Sequence, residues 1–349
     1  MSVFSVLAAP PAPPASPSPP PPTPTPVPAV SVVYRAYEAD AIDGYTANPA
    51  VVRRMVNDLV LAVTHQSDLA SAWRSLVSPN DKVGIKISAA GGEIFTTHRE
   101  IVNALVDGLV AAGHARSSII VWDRSLGGIR EAGYTGNEGY QLRSITPRDG
   151  YDLKATISAP YLGNLILGDL DYIGGKIERP ILSDELNTSS ESHIAKIVAN
   201  EVTKIINVPV LSNSERNGLA GCLYNMTLPN IDNSRRFSVP PDYGATSIPE
   251  IYSDPHIGPK VVLNIMDGLL AQFAGGPLPR PNYARQFNTI YASRDPVALD
   301  SVAARQIETW RKREKFPSII RTGAHIAVAA QMGLGNAVLS RIEIRDVGR

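Results

Sequence analysis

Beyond about residue 30 the chain alternates short β-branched apolar runs with longer stretches whose apolar side chains recur every three to four positions. That is the patterning of an α/β fold rather than of separate β and α blocks. The plainest unit runs from "DKVGIKIS" (81–88), where Val83, Ile85 and Ile87 alternate with a second face, to the strand "IIVWD" (119–123). Between them lies "TTHREIVNALVDGLVAAGHARSS". There Thr97 and Glu100 have capping-box spacing, Ile101, Leu105 and Leu109 share a helical face, and Gly113 stands where a helix ends. Strand, helix, strand predicts a parallel sheet with a right-handed crossover.

Residues 134–185 are rich in Gly, Pro, Asp and Tyr, with only short apolar runs such as "NLILGDL", and predict a β-rich or irregular insertion. Then come a helix over about 189–201, the strand "TKIINVPVL" and a further helix. Residues 229–258 hold Pro, Asn, Asp and Ser clusters and predict a long loop. The last third contains "KVVLNIMDGLL", the strand "FNTIYAS", a helix opening at "DPVALDSVAARQIETW", a helix near 322–332 and a closing strand "SRIEIRDV". Asp295 followed by Pro296 is a helix N-cap with proline in the first turn. The expected fold is α/β, a mostly parallel Rossmann-like layered sheet with helices on both faces, in a single domain over 31–349.

The first thirty residues differ. Pro10, Pro11, Pro13, Pro14, Pro17, Pro19 to Pro22, Pro24, Pro26 and Pro28 are interspersed with Ala, Ser and Thr. Such a segment lacks the donors for ladders or helices and predicts an extended, disordered linker. "VFSVLAA" ahead of it is short and lacks the basic start of a secretory signal. A Pro-rich spacer suits an exported domain standing off a membrane or wall, with a cytoplasmic location left open.

The 33 basic and 33 acidic side chains balance, which removes the electrostatic footprint of a nucleic-acid binder. The basic run Arg311 to Lys315 contains a glutamate and reads as a solvated helix face. A lone Cys222 makes no intramolecular disulfide and cannot alone hold zinc or an iron–sulfur cluster. The histidines follow no zinc spacing. No apolar run is long enough for a membrane span. No G-x-S-x-G, P-loop or strand-linked G-x-G-x-x-G is present, so ordinary serine hydrolase and nucleotide chemistry lose support.

Open α/β sheets bind ligands beyond the C-terminal ends of their strands. Lys86, late in an apolar strand, needs an acidic partner, an anion or a route to water. Asp123 closes the next strand and could answer it, though an aspartate there also caps turns. Asp267 stands before Gly268 at an expected strand end, with turn chemistry as the alternative. The stretch "NVPVLSNSERNGLAGCLYNMT" (207–227) leaves a strand through a polar loop into an expected helix near Gly218, and it offers Asn213, Ser214 and Arg216 as loop contacts. Lys86 and Arg216 would hold an anion with that helix's N–H groups. Asp123 or Asp267 would be a general base, or a ligand for magnesium or calcium, which take oxygen donors.

In order and spacing, "KVGIKIS", "IIVWD", "KIINVPVL", "GLAGCLYNM", "LNIMDGLLAQFAGGP", "IYASRDPVALDSVAA" and the late "GLG" resemble the bacterial and archaeal family catalogued as domain of unknown function 362, over roughly residues 80–348. The resemblance implies an α/β fold, and export or redox work in some members. Family members tend to carry a K-x-H motif where this chain has Ser212, Asn213 and Ser214, and a lysine–asparagine pair where it has Tyr224 and Asn225. Lys86 and Asn225 match, so Asn225 joins the expected ligand-binding set. Two functions follow as expectations: an exported enzyme or enzyme-derived protein binding a small anionic ligand, or a non-catalytic binding module on a Pro-rich stalk. Convergence of Lys86, Asp123 and Asp267 would favour the enzyme. Reaction, substrate and oligomeric state are left open.

Overall fold

The computed structural model describes residues 28–158, 191–238, 240 and 242–348. The Pro-rich segment up to residue 27 and residues 159–190, which take in about half of the expected 134–185 insertion, lie outside the described residues.

Ten strands form the main sheet: β1 (Ser31–Tyr37), β2 (Val83–Ile87), β3 (Ile120–Ser125), β4 (Gln141–Thr146), β5 (Lys204–Val208), β6 (Val210–Ser214), β7 (Gly218–Leu219), β8 (Val261–Gln272), β9 (Ala284–Ser293) and β10 (Ile342–Val347). Across the sheet the order is β10, β1, β9, β8, β5, β2, β3, β4. From β8 to β4 neighbours run parallel, β10 runs parallel to β1, and β9 is antiparallel to both its neighbours. The fold is thus α/β with a mostly parallel central sheet.

The expected single strand "TKIINVPVL" is two strands. Proline has no N–H for a ladder, and Pro209 instead accepts from the Asp267 N–H at 2.8 Å. β5 pairs with the first part of β8 and β6 with its last part. The antiparallel β7 folds back on β6.

Helices α1 (Pro49–Thr64), α2 (Leu69–Leu76) and α3 (Arg99–Ala111) cover one face. Their apolar stripes close over Val83, Ile85 and Ile87 in one core cluster. α4 (Leu126–Glu131) follows β3 directly. On the other face α5 (Cys222–Met226), α6 (Ser247–Tyr252), α7 (Pro296–Arg313) and α8 (His325–Gln331) enclose a second cluster containing Trp122, Ile205 and Met266. Among the described residues no helix is long and apolar enough to cross a membrane.

Several local expectations are replaced by tertiary pairing. Residues 191–195, within the expected 189–201 helix, are a strand (Glu191–Ala195) paired with Tyr151–Ser158, followed by a π-helical turn, Ile197–Glu201. Asp232 pins this strand, accepting from the His193 backbone N–H at 2.5 Å and bonding its ring Nδ1 at 2.8 Å. The Thr97–Glu100 capping box does not form, because the Thr97 hydroxyl donates to the Val208 carbonyl at 2.7 Å. The 229–258 segment carries short helical turns and α6. Asp295 caps α7, accepting from the Ala298 N–H at 2.8 Å.

Two buried groups stand out. Arg311 is only 4% exposed, while Lys312 to Lys315 are exposed as a solvated face would be. His325 is fully buried at the start of α8, with neither ring nitrogen hydrogen bonded among the described residues. Burial alone pushes its pKa down to about 4.

Candidate functional site

A row of polar side chains crosses the middle of the sheet. Trp122 on β3, Lys86 on β2, Asn207 on β5, Asn264 on β8 and Ser293 on β9 are successive cross-strand partners. Lys86, Asn207 and Asn264 have no exposed surface. Polar groups in such a place must be hydrogen bonded to one another, since an unmet one costs about 1–3 kcal/mol.

Lys86 Nζ meets that demand with three bonds, to the Ile87 carbonyl (2.7 Å), Asp123 Oδ1 (2.6 Å) and Asn225 Oδ1 (3.2 Å). An ammonium has three protons to give, so Lys86 is fully committed. Burial lowers its pKa, and the adjacent Asp123 carboxylate pulls in the opposite direction. Asp123 also accepts from the Arg124 N–H at 2.8 Å on Oδ1 and the Ala89 N–H at 2.6 Å on Oδ2. Its carboxylate is thereby fixed at the end of β3.

Asn225 comes from above, on α5. Its Oδ1 faces Lys86 and its Nδ2 donates to Asn207 Oδ1 at 2.8 Å. The orientation of α5 is set by Asp300 of α7, which accepts from the Cys222 and Leu223 N–H groups at 2.6 and 3.0 Å. Any side chain at Gly221 would collide with it, a Cβ there falling 2.2 Å from Asp300 Oδ1. Burial raises the Asp300 pKa to about 7, with the two N–H donors working against the shift. The helix thus starts at Cys222 rather than near Gly218, and its first N–H groups are spent on Asp300 instead of being open to an anion.

The loop contacts divide. The Asn213 amide ties β6 to the segment after β8, accepting from the Gly276 N–H at 3.0 Å and donating to Glu215 Oε1 at 2.7 Å. Ser214 Oγ accepts from the Asn217 N–H at 3.1 Å. Arg216 is exposed and makes no side-chain hydrogen bond among the described residues.

A cleft of about 490 Å³ opens at the C-terminal ends of β2, β3 and β6. Of the expected residues, Asp123, Ser214, Arg216 and Asn225 line it, while Lys86 lies behind Asp123 and Asn213 behind the wall. Arg124, Tyr224 and Arg235 join them, none expected as a contact from the sequence. Arg124 immediately follows Asp123 near the C-terminal end of β3, which was a usable signal. Arg235 lies in the 229–258 segment, which offered none. Arg124 donates to Ser234 Oγ at 2.9 Å, whereas exposed Arg235 has no side-chain partner among the described residues. Burial raises the Tyr224 hydroxyl pKa, with the nearby Arg124 guanidinium opposing.

Asp267 goes elsewhere. The strand does not end at Gly268 but continues to Gln272, and along it Leu263, Ile265 and Leu269 join the first core cluster while Met266 joins the second. Side chains alternate across a strand, so Asp267 is directed to the face opposite Asn264 and the Lys86 row. It accepts on Oδ2 from the His98 N–H at 2.7 Å and is 2.7 Å from His98 Nδ1. His98 titrates above its ordinary range. Burial is the largest influence and opposes this, but it is outweighed by the Asp267 charge and hydrogen bond together. The structure therefore joins Lys86 to Asp123 and sends Asp267 to a separate pair with His98. Among the described residues no three His, Cys, Asp or Glu side chains gather as a metal-holding set.

Residues 82–305 match the model of a family described as domain of unknown function, DUF362. No curated protein matches the chain. A similar solved structure is the crystal structure of a Thermotoga maritima protein from the Northeast Structural Genomics Consortium, 9% identical, covering 83% of this chain with a TM-score of 0.40. This chain spans 60% of that protein's length.

Proposed function

Since the chain belongs to the DUF362 family, we propose that its strand-end cleft binds a small anionic ligand and presents it to the Asp123 carboxylate. The observation that carries this is the trio Arg124, Arg216 and Arg235 around Asp123, the last two without side-chain partners among the described residues. A guanidinium presents a planar fork of donors suited to carboxylate or phosphate, and charge-assisted bonds of that kind contribute about 1.5–3 kcal/mol. Lys86 takes no part in the grip. It holds Asp123 immobile, so that the carboxylate's remaining acceptor capacity serves the cleft as a general base. A magnesium or calcium ion at Asp123 would draw most of its oxygens from ligand and water, as magnesium commonly does. In this reading the protein is an exported enzyme or enzyme-derived protein.

A second reading, a non-catalytic binding module on a Pro-rich stalk, is favoured by one observation. The His98–Asp267 pair belongs to the opposite sheet face, which leaves Asp123, among the described residues, without a histidine or lysine partner facing the ligand.

The test is calorimetric titration of the full chain with phosphate, citrate and glycerol 3-phosphate. Binding is expected to weaken about 10-fold or more in Arg216→Ala and in Arg235→Ala. Unchanged affinity in both variants, or no binding of any probe, would refute the cleft. Asp123→Asn that retains ligand but loses turnover supports the enzyme; turnover intact in that variant would refute Asp123 as the base, and turnover absent in every protein supports the module.

A further inference from the structure

We propose that a second cavity, of about 390 Å³, is a binding site for an aromatic carboxylate anchored by Arg311. It lies beyond a wall formed by Ser214, Glu215 and Gly275, which it shares with the arginine-lined cleft. The site does not depend on what that cleft binds.

Arg311 is the anchor because its burial is incompletely compensated. Nε donates to the Pro317 carbonyl at 2.6 Å and Nη1 to the Phe273 carbonyl at 2.9 Å. These carbonyls hold the guanidinium plane still. Its carboxylate partner among the described residues, Glu215, is 3.4 Å from Nη1 and already accepts shorter bonds from Asn213 Nδ2 and the Gly275 N–H, both at 2.7 Å. Nη2 has no partner among the described residues, yet it is not sealed from solvent and Arg311 lines the cavity. A guanidinium has five N–H donors, and the pair on Nη2 is unspent.

The remaining walls select what would come to it. Tyr283 and Phe316 are partly exposed along the cavity and meet edge to face, with centroids 5.2 Å apart. Phe273 backs both rings at 5.7 and 5.6 Å. A flat apolar ring laid against them would cover surface that is otherwise wet. The Arg311 guanidinium is 5.5 Å from the Phe316 ring centre, so an anion on Nη2 and a ring on Phe316 fit one short molecule. Ser318 gives its hydroxyl proton to Glu308 and Thr322 gives its own to the Ile319 carbonyl. Neither has a proton left for a second anionic group. With Glu215 and Glu308 close by, a singly charged carboxylate is preferred over a doubly charged phosphate.

The test uses the full chain and benzoate, acetate and phenyl phosphate as probes, with affinities from NMR line shapes or calorimetry. In an Arg216→Ala, Arg235→Ala double variant, which removes the first cleft's grip on anions, benzoate should bind about 10-fold more tightly than acetate or phenyl phosphate. Phe316→Leu should weaken benzoate about 3- to 10-fold and Arg311→Gln about 10-fold or more. Arg216→Ala and Arg235→Ala should leave benzoate affinity unchanged, which separates this site from the first cleft. The proposal is overturned if wild type does not bind benzoate, if acetate or phenyl phosphate binds as well in the Arg216→Ala, Arg235→Ala double variant, if Phe316→Leu has no effect, or if benzoate binding is lost only with Arg216 or Arg235. Should Arg311→Gln fail to fold, the Phe316→Leu result and the acetate comparison decide alone.

Discussion

Substituting His325 by leucine should change how stability depends on pH as well as its size. The imidazole titrates near 4 in the folded protein against an ordinary 6.5. Below 6.5 the unfolded chain therefore binds a proton that the folded chain refuses, and stability is lost as pH falls. At about 1.4 kcal/mol per pKa unit the full penalty is about 3 kcal/mol, of which about 2 kcal/mol appears between pH 7 and pH 5. Asp300 acts in the opposite direction. Its carboxyl titrates near 7 when folded against 3.8 when exposed, so the folded chain takes up a proton first and gains about 2 kcal/mol over the same interval. The two nearly cancel in the wild type. His325→Leu removes one side of the balance and should be about 2 kcal/mol more favourable, relative to wild type, at pH 5 than at pH 7. Urea unfolding of both proteins at both pH values gives the double difference, in which all other titrating groups drop out. A wild-type-to-variant gap independent of pH would show that His325 accepts its proton in place, and the claim that it is sealed without partners would fail.

Lys86→Met should cost about 3–5 kcal/mol in the same assay, because it leaves Asp123 as a buried unpaired charge. Adding Asp123→Leu should recover part of that loss, and a double variant less stable than the sum of the singles would contradict the pairing. Because the folded-state pKa of His98 is raised, its ion pair with Asp267 contributes fully below pH 6.5 and is lost as pH rises through the folded value. His98→Gln should therefore flatten the alkaline decline in melting temperature, and an unchanged decline would exclude the pair as its source. Cys222 is fully buried, which raises its thiol pKa well above the ordinary range. It should react with a disulfide reagent only after unfolding, and prompt reaction in native buffer would show that α5 opens.

Lys86 was legible because a charge inside a nearly continuous apolar strand demands a partner, and Asp123 stood near the C-terminal end of the next strand. Asp267 was misplaced because nothing in "MDGLL" showed that β8 continues past the glycine, and so its sidedness was hidden. The Thr97 capping box was sound local chemistry that lost to a long-range acceptor, the Val208 carbonyl. Asp300 and Arg311 could have been found. With Ala303 and Ile307 they fall on one buried stripe of α7 at helical spacing, and a charged residue on an apolar stripe is a signal that a charge-run reading of 311–315 obscures. What no sequence pattern supplied was the meeting of β3, β6 and residues 228–238 around one cleft, which depends on connections far apart along the chain.

The row through Lys86 also has a direction. Lys86 donates to Asn225 Oδ1, which leaves Nδ2 of that amide to donate onward to Asn207, and Asn207 Nδ2 donates in turn to Asn264 Oδ1 at 2.9 Å. Every amide turns its oxygen toward the ammonium and its nitrogen away from it. The three amides act as a frozen solvation shell, a line of oriented dipoles doing in the dry interior what water would do for a lysine outside. Asn264→Leu, which touches neither Lys86 nor the cleft, should therefore lower the Lys86 pKa further and make the ammonium two strands away easier to deprotonate.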